Sequence, residues 1–254
     1  MGLPLWSFGR NLGLGILELL QPSFCVLCGP LVAEEDWPFL CRSCGDEWIQ
    51  ESNELGAHCR VCAAALDVDL QEDGRCLGCR RKRPSYSDLR ALAEYDGKTA
   101  ELVAALKYRG MAAAARPLAL GLAFLEAARL QDSDLPKANL IVPIPLDRAR
   151  LRTRGFNQAT LIAARLAAVH DAVLDEKALY RKRRSAPQVG RSAFERRRLS
   201  ASRFKACARR VGGRRILLVD DVVTTGATLR AGATALKRAG AIDVQAIVVA
   251  RTPI

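Results

Sequence analysis

The chain has 254 residues, 50% hydrophobic and 26% charged, a balance that fits a folded globular protein and excludes fibrous, low-complexity or disordered classes. Its formal net charge of +12 is unevenly spread, because residues 181–215 carry fourteen Lys and Arg against one acid, Glu195, and leave the remainder near neutral. Basicity of that density points to a polyanionic partner or substrate at this segment, or else to a solvated loop.

Residues 1–22 contain an apolar run interrupted by Glu18, with Arg10 as their one basic residue and no small-residue cleavage site. The run is too short to span a membrane and lacks the form of a secretory leader, so it reads as an amphipathic helix over residues 10–20 docked on the body of the protein. No membrane span is expected. A cytoplasmic, reducing location follows, in which nine cysteines do not form structural disulfides. Gly13-Leu14-Gly15 fails as a dinucleotide fingerprint, since no strand precedes it and Glu18 stands where the third glycine belongs.

Residues 23–83 form a separate module built on four Cys-x-x-Cys pairs: Cys25 with Cys28, Cys41 with Cys44, Cys59 with Cys62, and Cys76 with Cys79. Each pair offers two thiolates from one tight turn, and two pairs complete a tetrahedral site with four sulfur ligands, so two structural Zn²⁺ ions are expected. The gaps between first and second pairs and between third and fourth are twelve and thirteen residues. That repeat favours sequential ribbons, with crossed pairing as the alternative. An iron–sulfur cluster or redox dithiols would use the same residues, but no fold context for either surrounds these turns. So few large apolar side chains cannot hold this stretch together by burial alone, and metal supplies its folding energy. A shell closed by four thiolates does no catalysis.

Charge followed by proline at Arg83-Pro84 marks a linker, and the larger domain occupies residues 84–254. A strand is predicted over residues 89–95, a helix over 98–107 closed by Gly110, and a longer helix over 112–130. Residues 139–142 read as a buried strand running into Pro143-Ile144-Pro145-Leu146-Asp147, where two prolines end the ladder and fix an exposed turn. Arg148, Arg150, Arg152 and Arg154 follow, either as a solvated helix face or as a diphosphate clamp suited to the guanidinium fork. Asn157 is placed to cap a helix over residues 158–169. The basic segment, with little apolar content, reads as a mobile loop with a short helix over 193–198.

The most informative stretch is residues 214–229. Ile216-Leu217-Leu218-Val219 reads as a buried parallel strand, followed by Asp220-Asp221 and then Thr224-Thr225-Gly226-Ala227-Thr228 opening a helix. Free amides at that helix start cradle an anion, and carboxylates at a strand's carboxyl end accept hydrogen bonds from vicinal hydroxyls. The ligand class is a sugar phosphate. A last strand is expected over residues 244–250.

The order of four apolar residues, Asp-Asp, two apolar residues and Thr-Thr-Gly-x-Thr resembles the phosphoribosyl-diphosphate (PRPP) motif of type I phosphoribosyltransferases. Together with the cysteine module, Leu106-Lys107-Tyr108-Arg109-Gly110, Val142-Pro143-Ile144-Pro145, Arg154-Gly155-Phe156-Asn157-Gln158 and Pro187-Gln188, it resembles the ComF family over nearly the whole chain. That resemblance implies an α/β fold, a type I phosphoribosyltransferase-like parallel sheet flanked by helices and preceded by a double zinc ribbon, and a link to natural transformation and DNA uptake. It further implies that Asp220 and Asp221 bind the ribose of PRPP, that Thr224, Thr225, Gly226, Ala227 and Thr228 hold the 5′-phosphate, and that Pro145, Leu146, Asp147 and Arg148 belong to the diphosphate loop. The same resemblance implies that Mg²⁺ accompanies PRPP, that Arg154 joins the aspartates in catalysis, and that residues 181–198 match a loop that closes over the site. Family members carry an asparagine after the arginine cluster, where this chain has Leu199-Ser200. Two functions fit these features: transfer of phosphoribosyl to an acceptor the sequence does not name, or non-catalytic binding of single-stranded DNA or of other DNA-uptake proteins by the ribbons and the arginine-rich segment.

Overall fold

The computed structural model describes residues 24–32, 37–53, 57–66, 73–132, 137–182 and 203–253. The expected helices over residues 10–20 and 193–198, and most of the basic segment, lie outside the described residues. Among the described residues no helix is long and apolar enough to cross a membrane.

The chain first makes two small cysteine modules. In one, Phe24 bridges Leu31 and Trp37 bridges Leu40, and helix α1 (Arg42–Asn53) starts directly after Cys41. In the other, His58 bridges Ala65 and the short helix α2 (Leu77–Arg81) starts directly after Cys76. The repeat in cysteine spacing is therefore a repeat in structure: a hairpin turn supplies one pair, and a helix start supplies the next.

A five-stranded parallel sheet follows, in the order β1 (Leu89–Glu94), β7 (Asp243–Arg251), β6 (Arg215–Val223), β2 (Leu140–Pro143), β3 (Val173–Leu174). Side chains alternate across it. Leu217, Val219, Ile247 and Val249 face a layer made by α3 (Gly97–Tyr108), α4 (Ala115–Asp132) and α6 (Gln158–His170). Ile216, Leu218, Val244, Ala246 and Val248 face α8 (Ala227–Arg238) and an antiparallel pair, β4 (Leu179–Arg181) with β5 (Phe204–Ala206). A short helix, α5 (Arg148–Arg154), lies at the carboxyl end of β2, and α7 (Ala208–Val211) leads into β6.

Among the described residues the expected strands and helices of the larger domain are present, with one difference in extent. The strand at residues 216–219 continues through both aspartates to Val223, because β7 is nine residues long and keeps pairing with it as far as Val223↔Arg251. The final strand lies between β1 and β6 inside the sheet.

The first cysteine module packs into the larger core. Trp48 on α1 is fully buried, its indole Nε1 donates to Thr99 Oγ1 of α3 at 2.9 Å, and its ring fills space beside Gly121, where a Cβ would lie 2.9 Å from Cη2. Glu51 continues the seam by accepting from the Lys98 backbone N–H at 3.0 Å. The second module is tied to β7, where the part-buried guanidinium of Arg251 donates to the Cys62 carbonyl.

Candidate active site and cysteine clusters

β2 stops pairing with β6 at Pro143↔Val219, and the Ile144 N–H to Val219 oxygen bond of 2.8 Å is the last link between them. Pro145 then has no N–H to offer. From Asp220 onward β6 is paired on the β7 side alone, so its other edge opens exactly where the two aspartates stand. Asp221 N–H donates to Asp220 Oδ1 at 2.9 Å, and Val222 N–H donates to Asp221 Oδ1 at 2.6 Å. Lys107, at the end of α3, places Nζ 3.1 Å from Asp221 Oδ2, with both side chains 14% exposed. Burial, followed by the charge of Asp221, pushes the Asp220 carboxyl up to about 8, against the opposing charges of Lys107 and Arg181.

Beyond β6 the chain turns through Thr224 and Thr225, both exposed, into Gly226 at φ +68°. That left-handed residue caps α8 and leaves the helix's first amides unpaired at the carboxyl edge of the sheet. A side chain here would be strained and would approach Arg230 Nη1 at 3.2 Å. Arg230 braces the turn from below by donating to the Thr225 carbonyl.

The loop after β2 is shaped by its own motif. Asp147 caps α5 by accepting from the Ala149 N–H at 3.0 Å, and Gly155 ends that helix at φ +79°. Asn157 then accepts from the Ala159 N–H at 3.3 Å while its Nδ2 donates to the Ile144 carbonyl at 3.0 Å. One side chain thus starts α6 and holds the proline turn. α5 divides two clefts. Pro143, Pro145 and Leu146 line one of about 380 Å³ together with Leu151, Gly155 and Glu176. Lys107 and Tyr108 line the other, of about 400 Å³, together with Arg150 and Arg154. Arg148 and Arg152 are exposed and line neither.

The basic segment leaves and re-enters the fold at one place, since β4 and β5 pair Arg181 with Phe204 and the Lys182 N–H donates to the Arg203 carbonyl at 3.0 Å. Arg181 lies over the Phe204 ring and 3.6 Å from Asp147 Oδ2. The structure thus brings Asp220, Asp221, the turn at residues 224–228 and the loop at 145–148 to one end of the sheet. Of two basic groups there, Lys107 had no role expected from the sequence, and Arg181 entered only as the first residue of the loop expected to close over the site. A lysine in a helix's last turn reads as an ordinary dipole partner, and its contact lies 114 positions away. The sole hint was that Lys107 sits inside the Leu106–Gly110 motif.

Both cysteine clusters close in the sequential arrangement. The sulfurs of Cys25, Cys28, Cys41 and Cys44 lie within 4.8 Å of one another, as do those of Cys59, Cys62, Cys76 and Cys79. Contacts of 3.6 Å join Cys28 to Cys41 and Cys62 to Cys76, and all eight thiols are free. This sulfur spacing fits a tetrahedral ion with Zn–S bonds of about 2.3 Å. Burial pushes the Cys25 thiol up, but N–H groups of Cys28, Cys41 and Leu27 outweigh it and bring it to about 6. The same balance brings Cys59 to about 7. In each cluster, backbone N–H groups of the Cys-x-x-Cys turn thus favour the thiolate form of its first cysteine.

Comparison with known proteins gives four findings. The phosphoribosyl transferase domain family matches residues 151–254. The chain is 33% identical over 236 residues to the DNA utilization protein YhgH of Escherichia coli strain K12, covering 92% of this chain and 99% of that protein. It is 30% identical over 210 residues to competence protein F of Haemophilus influenzae, covering 81% and 87%. Among solved structures, glutamine phosphoribosylpyrophosphate amidotransferase from B. subtilis, complexed with ADP and GMP, aligns at 21% identity and a TM-score of 0.37, over 52% of this chain and 26% of that one.

Proposed function

The chain belongs to the ComF family, and from that premise we propose that it binds PRPP at the carboxyl edge of its sheet and transfers phosphoribosyl to an acceptor in the service of DNA uptake or utilization. Asp220 and Asp221 accept hydrogen bonds from the ribose hydroxyls, Thr224, Thr225, Gly226, Ala227 and Thr228 cradle the 5′-phosphate, and Pro145, Leu146, Asp147 and Arg148 face the diphosphate. The observation that carries this reading is the position of Arg181, 3.6 Å from Asp147 on one loop and with its charge felt by Asp220 on the other. A ligand spanning ribose and diphosphate would occupy the space that one guanidinium already relates.

In the reaction a nucleophile forms its bond to C1 of the ribose while the bond from C1 to the diphosphate oxygen breaks. The electron pair leaves with the diphosphate, and the nucleophile's proton passes to water. Positive charge grows on the sugar beside Asp220 and Asp221, and negative charge grows on the leaving group toward Arg154 and Arg181. Mg²⁺ bound with PRPP would neutralise diphosphate charge, and the two aspartates are the hard oxygen donors this site offers it. The cysteine clusters would hold two Zn²⁺ as closed, structural sites. Calorimetry with Mg²⁺ and PRPP tests the proposal: binding to the wild type is expected, and its absence would sink the reading.

A second reading is favoured by the exposed basic residues Lys205, Arg209 and Arg214, which continue the arginine-rich segment on the described surface. Non-catalytic binding of single-stranded DNA would use them as backbone contacts without sequence preference. Its affinity would fall steeply with ionic strength, and a salt-insensitive affinity counts against it.

A further inference from the structure

A continuous set of contacts runs from the second cysteine cluster to the turn at residues 224–228. The Cys62 carbonyl starts it by accepting from the guanidinium of Arg251. Arg251 ends β7 opposite Val223, the last residue of β6 before the turn, and the next N–H, of Thr252, donates to the Val223 carbonyl at 2.9 Å. Ala63 makes a second start. It is left-handed at φ +55°, a conformation that a residue with a side chain keeps only where its surroundings hold it. Here the Ala63 N–H donates to the Cys59 carbonyl at 2.7 Å, and its methyl is buried in the same apolar cluster as Tyr86 and Leu229 of α8.

Tyr86 covers the remaining distance. Burial, against the charge of Arg230 and with those of Cys62 and Cys79, pushes its hydroxyl up to about 12, so the group keeps its proton at neutral pH. The Oη atom is buried without a hydrogen-bond partner and sits beside Gly226, where a Cβ would lie 3.6 Å from it and 3.2 Å from Arg230 Nη1. Hydroxyl and guanidinium thus close over one glycine. The other arm of Arg230, Nη2, donates to the Thr225 carbonyl. Thr225 and Gly226 are therefore shaped from behind by side chains that lie outside the turn. The first cluster packs elsewhere, since its seam runs through Trp48 to Thr99 and Gly121 on the opposite face of the sheet.

Resting on the phosphoribosyl reading above for the identity of the ligand, we propose that the second cysteine site is the seat of the 5′-phosphate turn. Closed on a metal, its thiolates fix Cys62 and Ala63, and Tyr86 and Arg230 are positioning residues that carry this geometry to Gly226 and Thr225. The two metal sites then differ in duty: the first secures the fold, and the second also sets affinity for the phosphate.

The test uses the full zinc-loaded chain and two probes that divide the site. Ribose 5-phosphate reports on the turn, and inorganic diphosphate with Mg²⁺ reports on the loop at residues 145–148. Arg230→Met should weaken ribose 5-phosphate about tenfold and Tyr86→Phe about threefold, while both variants keep two zinc equivalents and diphosphate affinity within about twofold. Cys79→Ser, which opens the second site, should match Arg230→Met, whereas Cys25→Ser, which opens the first, should leave ribose 5-phosphate within about twofold. Amide exchange needs no ligand: residues 224–228 should exchange about tenfold faster in Arg230→Met, with residues 140–142 of β2 unchanged. The proposal is overturned if those turn amides do not speed up, or if ribose 5-phosphate and diphosphate weaken together. It is also overturned if Arg230→Lys binds ribose 5-phosphate as tightly as the wild type, since charge alone would then suffice. Should the cysteine variants not fold, Arg251→Met cuts the same link with both zinc sites intact, and an undiminished ribose 5-phosphate affinity there overturns the part assigned to the metal site. A wild type that binds neither PRPP nor ribose 5-phosphate would strike the phosphoribosyl reading instead, and amide exchange would still decide the bracing.

Discussion

Arg251 donates from Nη1 to the carbonyl oxygen of Cys62 at 2.6 Å, joining residues 189 positions apart. The donor ends the strand beside β6, and the acceptor belongs to the second cysteine cluster. Tyr86, fully buried, lies near the same cluster and, on its other side, near Gly226 of the proposed phosphate turn. The second cysteine module is thus the back wall of the turn.

Replacing Arg251 with Met should leave the Cys62 carbonyl unpaired in a largely dry interface. Loss of a charged hydrogen bond there costs about 1.5–3 kcal/mol. Thermal unfolding of the zinc-loaded protein measures it, and an unchanged midpoint would show that the modules are not coupled through this contact.

Metal removal should act on the whole protein. Two zinc equivalents per chain are expected on denaturation with a chromogenic chelator, and Cys25→Ser should reduce the content to one. Because each structural site contributes about 10 kcal/mol or more of folding free energy, chelation should also abolish cooperative unfolding of the larger domain. A chelated protein that keeps its full transition would contradict the packing of Trp48 into that domain.

At the Trp48 seam, Thr99→Val keeps the shape and removes the acceptor for the indole N–H. An orphaned buried donor costs about 1–3 kcal/mol. Trp48→Ala should cost more, about 3–5 kcal/mol, through the cavity it leaves. Urea unfolding of the two variants gives the comparison, and equal effects would point away from the hydrogen bond.

The carboxylate pair predicts opposite pH trends for binding and stability. Asp220 titrates at about 8 in the folded chain against an ordinary value of 3.8, so folding takes up a proton between those values. Stability therefore falls as pH rises from about 4 toward 8, and the full penalty stands above 8. PRPP binding needs the ionised acceptor and should strengthen as pH rises through the same value. Asp220→Asn with Asp221→Asn should flatten both profiles and weaken PRPP by about 30-fold or more. A wild-type binding profile flat across that range would remove Asp220 from the ribose site.

The parts of this molecule legible in the sequence are those whose signal is local. Residues 216–228 announce strand, acids and helix start within one short run, and the Cys-x-x-Cys pairs announce ligands in each turn. Asn157 was readable as a cap, because capping acts two residues ahead. Its second bond, to the Ile144 carbonyl, was not, because it depends on how α6 meets β2. The contacts of Lys107 with Asp221, Arg181 with Asp147 and Arg251 with Cys62 escaped for the same reason, as these partners are set by tertiary packing. The continuation of β6 through Asp221 was hidden too: polar residues end an isolated strand, but a long neighbour such as β7 can carry one past them.

The strand order has a consequence for the chain as a physical object. Residues up to 182 supply β1, β2, β3 and β4, and residues from 203 onward supply β5, β6 and β7, with β6 and β7 lying between β1 and β2. A protease cut between residues 183 and 202 would therefore sever the polypeptide without separating it. The two pieces interleave like fingers of opposite hands, and a nicked preparation should travel as one particle until it is unfolded.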